Sequence, residues 1–464
     1  MRPVALPISA LVLTATLAGP TVAQAGPEPL PLDRIPNLYR SAADRLIDAA
    51  LADSAAYDRL AALVDGFGHR FSGSESLERA IDWILESMRA DGLENVRGEP
   101  VMVPRWVRGE ESLRLVSPRE AELAILGLGG SVGTTPAGIT AEVLVVSDFD
   151  ELRRRADEAA GRIVVFDAPF TGYGETVRYR TEGAVEAARA GAVASLVRSV
   201  GPFSMNTPHT GMMVYRPGVP RIPHAAITIE DAMMLHRKQD RGERVVVRLQ
   251  MDARTLPDAE SRNVVAELRG RELPHEVVVL GGHIDSWDVG QGAMDDAGGS
   301  VAAWEAVRLM KELGLRPRRT VRVVLWTNEE NGLRGANAYR DRYRDHLDDH
   351  ILAIESDSGV FDPLGFGFTG SDSALAVVRE VGSLLDRVGA GEITRGGGGA
   401  DIGPIMREGV PGMGLRVDGE RYFWYHHTEA DTLDKLDPRE VALCTAALAV
   451  MAYVVADLPQ RLPR

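Results

Sequence analysis

Beyond Arg254, the chain alternates between short, wholly apolar runs and longer segments in which apolar residues recur at helical spacing. The runs predict strands and the longer segments predict helices. Strands without a polar face are typical of a sheet that is covered on both sides. We therefore expect an α/β fold with a mixed, largely parallel sheet and helices on both faces. The predicted strands cover residues 263–268, 277–280, 320–326 and 351–355, and the predicted helices cover 300–313 and 335–343.

The first part of the chain has a different pattern. Helical spacing over residues 38–64 and 74–88 predicts two helices, with Ser72-Gly73-Ser74 offering a break and an N-cap between them. Residues 107–253, called the inserted region below, carry short strand-like runs between loops rich in Gly, Pro, Ser and Thr. The runs lie at 142–146, 162–166, 192–197, 225–229 and 245–249. We expect a discontinuous main domain, residues 26–106 and 254–464, with a β-rich domain inserted between its two parts.

Composition and charge narrow the class of protein. The 464 residues contain 52 Lys and Arg against 67 Asp and Glu, a net charge of −15. That balance argues against a nucleic-acid partner or an anionic membrane surface, because phosphates would be repelled. Residues 1–25 place Arg2 before an apolar stretch and end in a small-x-small sequence, which predicts a signal peptide and a secreted or periplasmic protein with no membrane anchor in its mature form.

Cys444 is the only cysteine, so no internal disulfide can form and a large core must stabilise the protein. This cysteine lies in an apolar run over residues 441–456, where it is expected to pack as a small hydrophobe. The run is short for a membrane span and predicts a buried helix near the carboxyl terminus.

Candidate metal-binding side chains follow the predicted strands. His283 comes directly after the strand at 277–280, and the nearby Asp285 is a candidate to hold its second ring nitrogen. The pair Asp295-Asp296 opens the next helix, and Asp295 is our choice for a carboxylate that bridges two cations. An acidic N-cap is the plainer explanation of that pair.

The next strands end in further acids. Glu329 and Glu330 point in different directions at the end of one strand, so one can bind a metal while the other faces a substrate. Asp357 follows the strand at 351–355. Near the end of the chain, His427 is followed four positions later by Asp431, a candidate to orient the imidazole. Together these histidines and carboxylates form a nitrogen and oxygen donor set suited to zinc.

These motifs, Gly282-His283-Ile-Asp285, Asp295-Asp296, Glu329-Glu330, Asp357 and His427-Thr-x-x-Asp431-Thr, resemble the M28 family of zinc peptidases in their full order. The resemblance implies two zinc ions, one held by His283, Asp295 and Asp357 and the other by Asp295, Glu330 and His427. It also implies that Glu329 is the general base, that the peptide bond after Asp295 is unusual, and that the protein is a homodimer.

A narrower resemblance, in Asp285-Ser-Trp-Asp-Val-Gly-Gln-Gly-Ala-Met-Asp295 and in the flanking segments, is to the carboxypeptidase branch of this family, which carries a protease-associated insert. It implies a dipeptidase acting on small peptides. An aminopeptidase of the same family and a non-catalytic receptor on the same fold are the alternatives. We expect His426 to stabilise the oxyanion, with Tyr425 as an alternative. For Asp401, after a glycine-rich loop, contact with a substrate ammonium group and a purely structural role are both open.

Overall fold

The computed structural model describes Met1 and residues 31–52 and 54–464. The predicted signal peptide lies outside this part of the chain, apart from Met1. The strands, in chain order, are β1 (Glu94–Val107), β2 (Glu111–Ser117), β3 (Ala121–Leu123), β4 (Ile125–Gly127), β5 (Ile139–Val146), β6 (Ile163–Phe166), β7 (Ala194–Arg198), β8 (His224–Ile227), β9 (Val246–Met251), β10 (Arg254–Leu268), β11 (Leu273–His283), β12 (Arg319–Trp326), β13 (His350–Glu355), β14 (Pro363–Thr369), β15 (Glu392–Arg395) and β16 (Gly412–Val417).

The helices, in chain order, are α1 (Ile35–Ala52), α2 (Ala55–Phe67), α3 (Glu75–Ala90), α4 (Phe149–Arg154), α5 (Ala156–Ala159), α6 (Tyr173–Thr176), α7 (Arg178–Arg189), α8 (Ile229–Asp240), α9 (Gly298–Glu312), α10 (Arg334–Tyr343), α11 (Asp372–Gly382), α12 (Gly403–Met406), α13 (Tyr422–Tyr425) and α14 (Pro438–Asp457). Short 3-10 turns cover Leu32–Arg34, Arg344–Asp349, Ser383–Val388, Gly419–Arg421 and Leu433–Lys435, and a wider turn covers Ala293–Ala297.

The first sheet has eight strands in the order β1-β10-β12-β11-β13-β16-β14-β15. Its four central strands, β12, β11, β13 and β16, are mutually parallel. Strand β1 pairs antiparallel with β10, and β10 pairs antiparallel with β12. Strand β14 pairs antiparallel with β16 and parallel with β15. The prediction of a mixed, largely parallel sheet is confirmed. Because the central strands share one direction, their carboxyl ends meet at one edge, where ligands bind in sheets of this kind.

Alternate residues of the central strands pack against helices on opposite faces of the sheet. On β12, Val321, Val323 and Leu325 face a large core with the apolar sides of α1, α3, α9 and α14. Val324 and Trp326 face the other side, where they pack with Tyr339 of α10. This period-two division explains why the strands read as continuously apolar in the sequence.

The second sheet is built from residues 111–251, within the inserted region. Its eight strands run in the order β3-β2-β9-β5-β6-β7-β8-β4, with β5, β6, β7 and β8 parallel. Separate apolar clusters cover its two faces. Trp287, from the loop after β11, packs into one of these clusters and stacks on Phe71 at a ring-centroid distance of 4.9 Å. The two sheets therefore share an apolar contact close to the end of β11.

Helix α14 is the element that resembles a membrane span. By length and composition it could cross a membrane, but 89% of its most apolar window is buried inside the protein. Cys444 is fully buried in it, and its thiol contacts the Phe361 carbonyl oxygen at 3.2 Å. The prediction of a buried helix is confirmed, and α14 is a core helix of the first sheet.

The predicted first helix, residues 38–64, is two helices in the structure, α1 and α2, which together form one side of the main core. Apolar spacing continues across the break, so periodicity alone did not separate them. The second predicted helix is α3, and the Ser74 hydroxyl accepts a hydrogen bond from the Leu77 N–H at 3.2 Å, as expected of an N-cap.

Candidate metal centre

Five of the predicted site residues converge at the carboxyl edge of the first sheet. His283 ends β11, and the Glu329-Glu330 pair and Asp357 follow the ends of the two neighbouring parallel strands, β12 and β13. His427 reaches the same edge from the loop after α13. The parallel direction of the strands therefore brings together side chains that are up to 144 positions apart in the chain.

Asp295 lies at the middle of this group. Its Oδ1 atom is 3.2 Å from His283 Nε2, and that same nitrogen is 3.5 Å from Asp357 Oδ1. Its Oδ2 atom is 3.3 Å from His427 Nε2, which is 3.1 Å from Glu330 Oε2. The two carboxylate oxygens of Asp295 thus face two separate groups of donor atoms.

Asp285 has a different role from the predicted one. His283 Nδ1 contacts the Asp285 main-chain oxygen at 2.9 Å, whereas the carboxylate of Asp285 is 4.0 Å away. The carboxylate instead accepts hydrogen bonds from the Glu329 N–H at 3.0 Å and the Ser72 hydroxyl at 3.1 Å. The backbone of Asp285 fixes the imidazole, and its side chain fixes the loop that carries the glutamates.

Asp431 also differs from the prediction that it orients His427. Its two oxygens accept hydrogen bonds from the N–H groups of Met294 at 2.7 Å and Asp295 at 3.2 Å. Asp431 therefore holds the turn that presents Asp295, whose peptide bond to Asp296 is cis. His427 Nδ1 contacts the main-chain oxygen of Thr210 instead, at 3.2 Å.

A fully buried arginine that the sequence analysis did not select supports the same turn from behind. The Arg70 guanidinium donates to the main-chain oxygens of Gly68, Ile284, Gln291 and Gly292 at 2.7–2.9 Å. Residues 284–292 connect His283 to Asp295, so Arg70 fixes the segment between two of the converging side chains. An arginine distant in the sequence carries no local pattern that would reveal this contact.

The site concentrates negative charge in a buried space. Burial first, and then Asp295, raise the pKa of Glu330 to about 7. Burial, together with Asp357 and Glu330, raises the pKa of Glu329 well above its usual value. Although burial alone would lower it, Glu330 and Asp295 raise the pKa of His427 to about 10. Carboxylates that perturb each other in this way favour a bound cation.

His426 stacks on His427, with ring centroids 3.5 Å apart and planes inclined by 21°. Its Nε2 atom is 3.6 Å from Asp295 Oδ2. Burial and the neighbouring His427 hold the pKa of His426 well below its usual value, so the ring is neutral at pH 7. The donor atoms of His426, His427 and Asp295 are close enough to hold one ion together, which makes His426 an alternative ligand.

A cavity of about 280 Å³ opens over these residues. Glu329, Glu330, Asp295, Asp357, His426 and His427 line one side of it. The other lining residues were not selected from the sequence: Tyr173, Arg180, Tyr422 and Phe423. Tyr173 and Arg180 belong to the inserted region, which therefore forms part of the cavity wall.

Two predicted substrate contacts do not line this cavity. Tyr425 packs against the main core, and Lys435 Nζ lies 5.8 Å from its ring centroid. Tyr422 is four positions before His426, one helical turn, so the two side chains lie on the same face of α13. Tyr425 lies on a different face. Asp401 is 2% exposed, and burial and the neighbouring Glu355 raise its pKa well above the usual value. Its carboxylate is buried and does not line the cavity.

The donor set fits zinc. It combines imidazole nitrogens with carboxylate oxygens, which zinc accepts. Asp295 Oδ2 and Glu330 Oε1 are buried atoms for which the protein supplies no hydrogen-bond partner. Buried polar atoms without a partner are costly, and a metal ion would satisfy both of these.

Residues 263–452 match the family model described as peptidase family M28. Carboxypeptidase Q from Mus musculus is 50% identical over 92% of this chain and 91% of the relative. The crystal structure of a peptidase M28 precursor from Shewanella amazonensis has a TM-score of 0.88 at 34% identity, covering 92% of this chain and 99% of the other.

A zinc aminopeptidase from Bacillus subtilis has a TM-score of 0.66 at 19% identity over 86% of this chain and 93% of the other, which is a likeness of fold alone. The matches to carboxypeptidase Q and to the Shewanella amazonensis structure have identities of 50% and 34% and cover nearly all of both chains. Their residues span both sheets described above. The chain therefore belongs to peptidase family M28 and is a metallopeptidase of that family.

Proposed function

We propose that this protein is a co-catalytic dizinc exopeptidase that hydrolyses dipeptides or other small peptides, with a preference like that of carboxypeptidase Q. The observation that carries the proposal is the placement of Asp295, whose two oxygens face His283 with Asp357 on one side and His427 with Glu330 on the other. One zinc ion would be held by each group, and Asp295 would bridge them.

Zinc bound at these residues supplies Lewis acidity, which lowers the pKa of water towards neutrality and polarises a carbonyl group. Glu329 acts as the general base and removes a proton from the attacking water. The water oxygen bonds to the scissile carbonyl carbon, the carbon–nitrogen bond breaks, and Glu329 delivers the proton to the leaving amine. Glu329 lines the cavity beside the proposed zinc ligands, where a carboxylate can act as the base towards the attacking water.

His426 would donate a hydrogen bond to the oxyanion that forms on the carbonyl. Its ring is neutral and lines the cavity, so one ring nitrogen carries a hydrogen that it can donate. His426→Phe should retain zinc and lose turnover by on the order of 100-fold. Loss of zinc in this variant would identify His426 as a ligand instead, and full turnover would exclude both roles.

We further propose that residues 107–253 are a protease-associated insert and that the protein is exported after removal of residues 1–25. The separate sheet of residues 111–251 supports the first statement. The sequence pattern before Gly26 supports the second.

The function is tested by measuring zinc per purified chain together with the hydrolysis of unblocked, N-blocked and C-blocked dipeptides. We expect about two zinc ions per chain and cleavage of the unblocked peptides. Cleavage of C-blocked peptides as efficiently as unblocked ones would indicate an aminopeptidase. Absence of both zinc and cleavage would indicate a non-catalytic protein.

The role of Glu329 is tested by Glu329→Gln, which keeps the size of the side chain and removes its basicity. This variant should bind zinc as the native protein does and lose turnover by about 100-fold or more. Glu408→Gln is the matched control, because Glu408 is exposed and away from the cavity. Loss of zinc from Glu329→Gln would show that Glu329 is a ligand.

A further inference from the structure

Trp287 is a residue of the main domain whose side chain packs into the inserted region. It belongs to the loop between β11 and the turn that carries Asp295, and it is 2% exposed. Its indole ring is part of an apolar cluster made mostly of residues from the inserted region. The next residue, Asp288, accepts a hydrogen bond from Arg108 Nε at 2.9 Å. The inserted region therefore contacts this loop at two consecutive positions.

Gly129 of the inserted region lies directly against the far edge of the indole. A Cβ atom at this position would be 2.1 Å from Trp287 Cη2 and 2.4 Å from Cζ3, so any larger residue would displace the ring. Gly129 is not among the glycines with a left-handed backbone, so its φ angle does not require glycine. The close approach of Trp287 is what requires it.

The same part of the inserted region contacts His427. The Gly129 N–H donates to the Gly211 main-chain oxygen at 3.0 Å. The main-chain oxygen of the preceding residue, Thr210, lies 3.2 Å from His427 Nδ1. Arg180, which donates to the same Thr210 oxygen at 3.2 Å, lies 3.4 Å from that ring nitrogen. A shift at Gly129 would therefore reach the groups that fix the His427 imidazole.

The indole of Trp287 also contacts His427 directly. The two ring centroids are 5.5 Å apart, and the ring planes are inclined by 57°. Phe71 stacks on the same indole, as described above, with centroids 4.9 Å apart. Trp287 therefore fills the space between the inserted region, the main domain and one proposed zinc ligand.

The indole N–H does not explain why tryptophan occupies this position. Its Nε1 atom is buried, and the described part of the chain supplies no hydrogen-bond acceptor for it. A buried donor without a partner is unfavourable, so an apolar ring would serve packing alone at least as well. What tryptophan adds over phenylalanine is reach, because the atoms nearest to Gly129 are at the far end of the indole.

We propose that Trp287 is a positioning residue, which rests on the inserted region and holds the His427 imidazole in place for zinc. This inference rests on the proposed function, in which His427 and Glu330 hold one zinc ion, and deepens it by giving the inserted region a role at that ion. Docking of the inserted region and binding of that zinc ion are then linked through one side chain.

The proposal predicts that the two zinc sites respond differently to a change at Trp287. Arg70 holds the backbone of residues 284–292 independently of the indole, so a shorter side chain should leave His283 in place. His427 has the indole as a direct neighbour. Loss of the indole should therefore weaken zinc at His427 and spare the zinc site of His283.

The first test is a calorimetric zinc titration of the native protein and of Trp287→Phe. The dissociation constant of one zinc ion should rise by about 10- to 100-fold, the range for residues that support metal ligands, and that of the other should stay within about threefold. The melting temperature of the zinc-free protein should fall by less than about 3 °C, because the shorter ring also removes the unpartnered N–H. With zinc in excess, dipeptide turnover should recover, since mass action fills a weakened site.

Trp106→Phe is the matched control. Trp106 belongs to the same apolar cluster and contacts Phe71, but it does not line the cavity over the metal centre. Its indole N–H donates to the Ser131 main-chain oxygen at 2.9 Å, so this variant should lose more stability than Trp287→Phe and keep both zinc affinities. Equal weakening of both zinc sites in Trp287→Phe, or of neither, would overturn the proposal, and so would the same zinc loss in Trp106→Phe.

Gly129→Ala tests the contact from the side of the inserted region and still decides if Trp287→Phe fails to fold. The added methyl group would displace the indole, so the same zinc site should weaken by about 10-fold. The double variant should bind zinc no more weakly than Trp287→Phe alone, because phenylalanine does not reach the methyl group. Native zinc affinity in Gly129→Ala, or losses that add in the double variant, would contradict the proposal.

Failure of this inference is distinguishable from failure of the proposed function. If the native protein binds two zinc ions and cleaves no dipeptide, the peptidase proposal fails, and the titrations still decide the role of Trp287. If dipeptides are cleaved and Trp287→Phe binds zinc as the native protein does, the positioning role alone fails. Absence of zinc from the native protein would refute both.

Discussion

Replacing Arg70 with methionine would remove the guanidinium that ties residues 284–292 to the chain before α3. Methionine keeps much of the side-chain length but can donate no hydrogen bond. Four main-chain oxygens would lose a hydrogen bond in a buried or partly buried place, and of these the Gly292 oxygen keeps a second donor, the Ala297 N–H. The segment between His283 and Asp295 would then be held less firmly, so both stability and metal binding should suffer.

The change in the free energy of unfolding of Arg70→Met is the balance of two opposed effects. Each buried oxygen left without a partner costs roughly 1–3 kcal/mol, whereas removing a buried charge recovers several kcal/mol of desolvation. The balance is a loss of about 3–5 kcal/mol in the free energy of unfolding. With an unfolding entropy of about 2.1 cal/mol/K per residue, the midpoint of a chain of about 430 folded residues should fall by roughly 4 °C.

Thermal unfolding and zinc titration of the same samples measure both effects. Zinc affinity should fall by about 10- to 100-fold, the range for residues that support metal ligands. Arg70→Lys should lie between the native protein and Arg70→Met, and the exposed Arg89→Met should change stability by less than about 0.5 kcal/mol. If Arg70→Met loses less than about 1 kcal/mol and binds zinc normally, the reasoning is wrong.

Three further changes test other parts of the structure. Asp431→Asn removes one of the two carboxylate oxygens that accept hydrogen bonds from the turn carrying Asp295. In a metal titration, zinc binding should weaken by about 10-fold. Unchanged affinity would mean that other contacts hold the turn. Burial lowers the pKa of His224 to about 4. Between pH 6.5 and 4, this histidine is therefore protonated in the unfolded chain and neutral in the folded one. Stability should therefore fall by up to about 3 kcal/mol across that range, and denaturant unfolding of His224→Gln should lack this part of the pH dependence. Gly282→Ala would place a methyl group 2.0 Å from Asp296 Oδ2. This clash should unfold the end of β11 and lower the melting temperature by several degrees. A native melting temperature would show that Asp296 can move aside.

The sequence predicted those parts of the fold and site that depend on local pattern. Apolar runs identified β10, β11, β12 and β13, and acids or histidines directly after such runs identified most of the side chains that converge at the carboxyl edge of the sheet. Both rest on one rule, that parallel strands bring their ends together. Strands β14, β15 and β16 were not predicted, because glycines and polar residues interrupt any period in them.

The errors concern direction and distance. Asp431 was expected to hold His427 because the two are four positions apart, but the loop between them is not a helix, and the carboxylate turns towards Asp295. Tyr425 was named as the alternative to His426 and Tyr422 was not considered, although Tyr422 is the tyrosine that lines the cavity. Arg70 and Arg180 act across more than 200 positions, and a single sequence contains no signal for such contacts.

The main-chain oxygen of Thr210 serves both His427 and Arg180, so the inserted region cannot be removed as a passive module. A shortened protein that joins residue 106 to residue 254 would keep every proposed zinc ligand, yet His427 would lose its Nδ1 partner and the cavity would lose a wall. Substitutions around residues 173–211 would therefore reach the cavity wall and the support of His427 without changing any proposed zinc ligand.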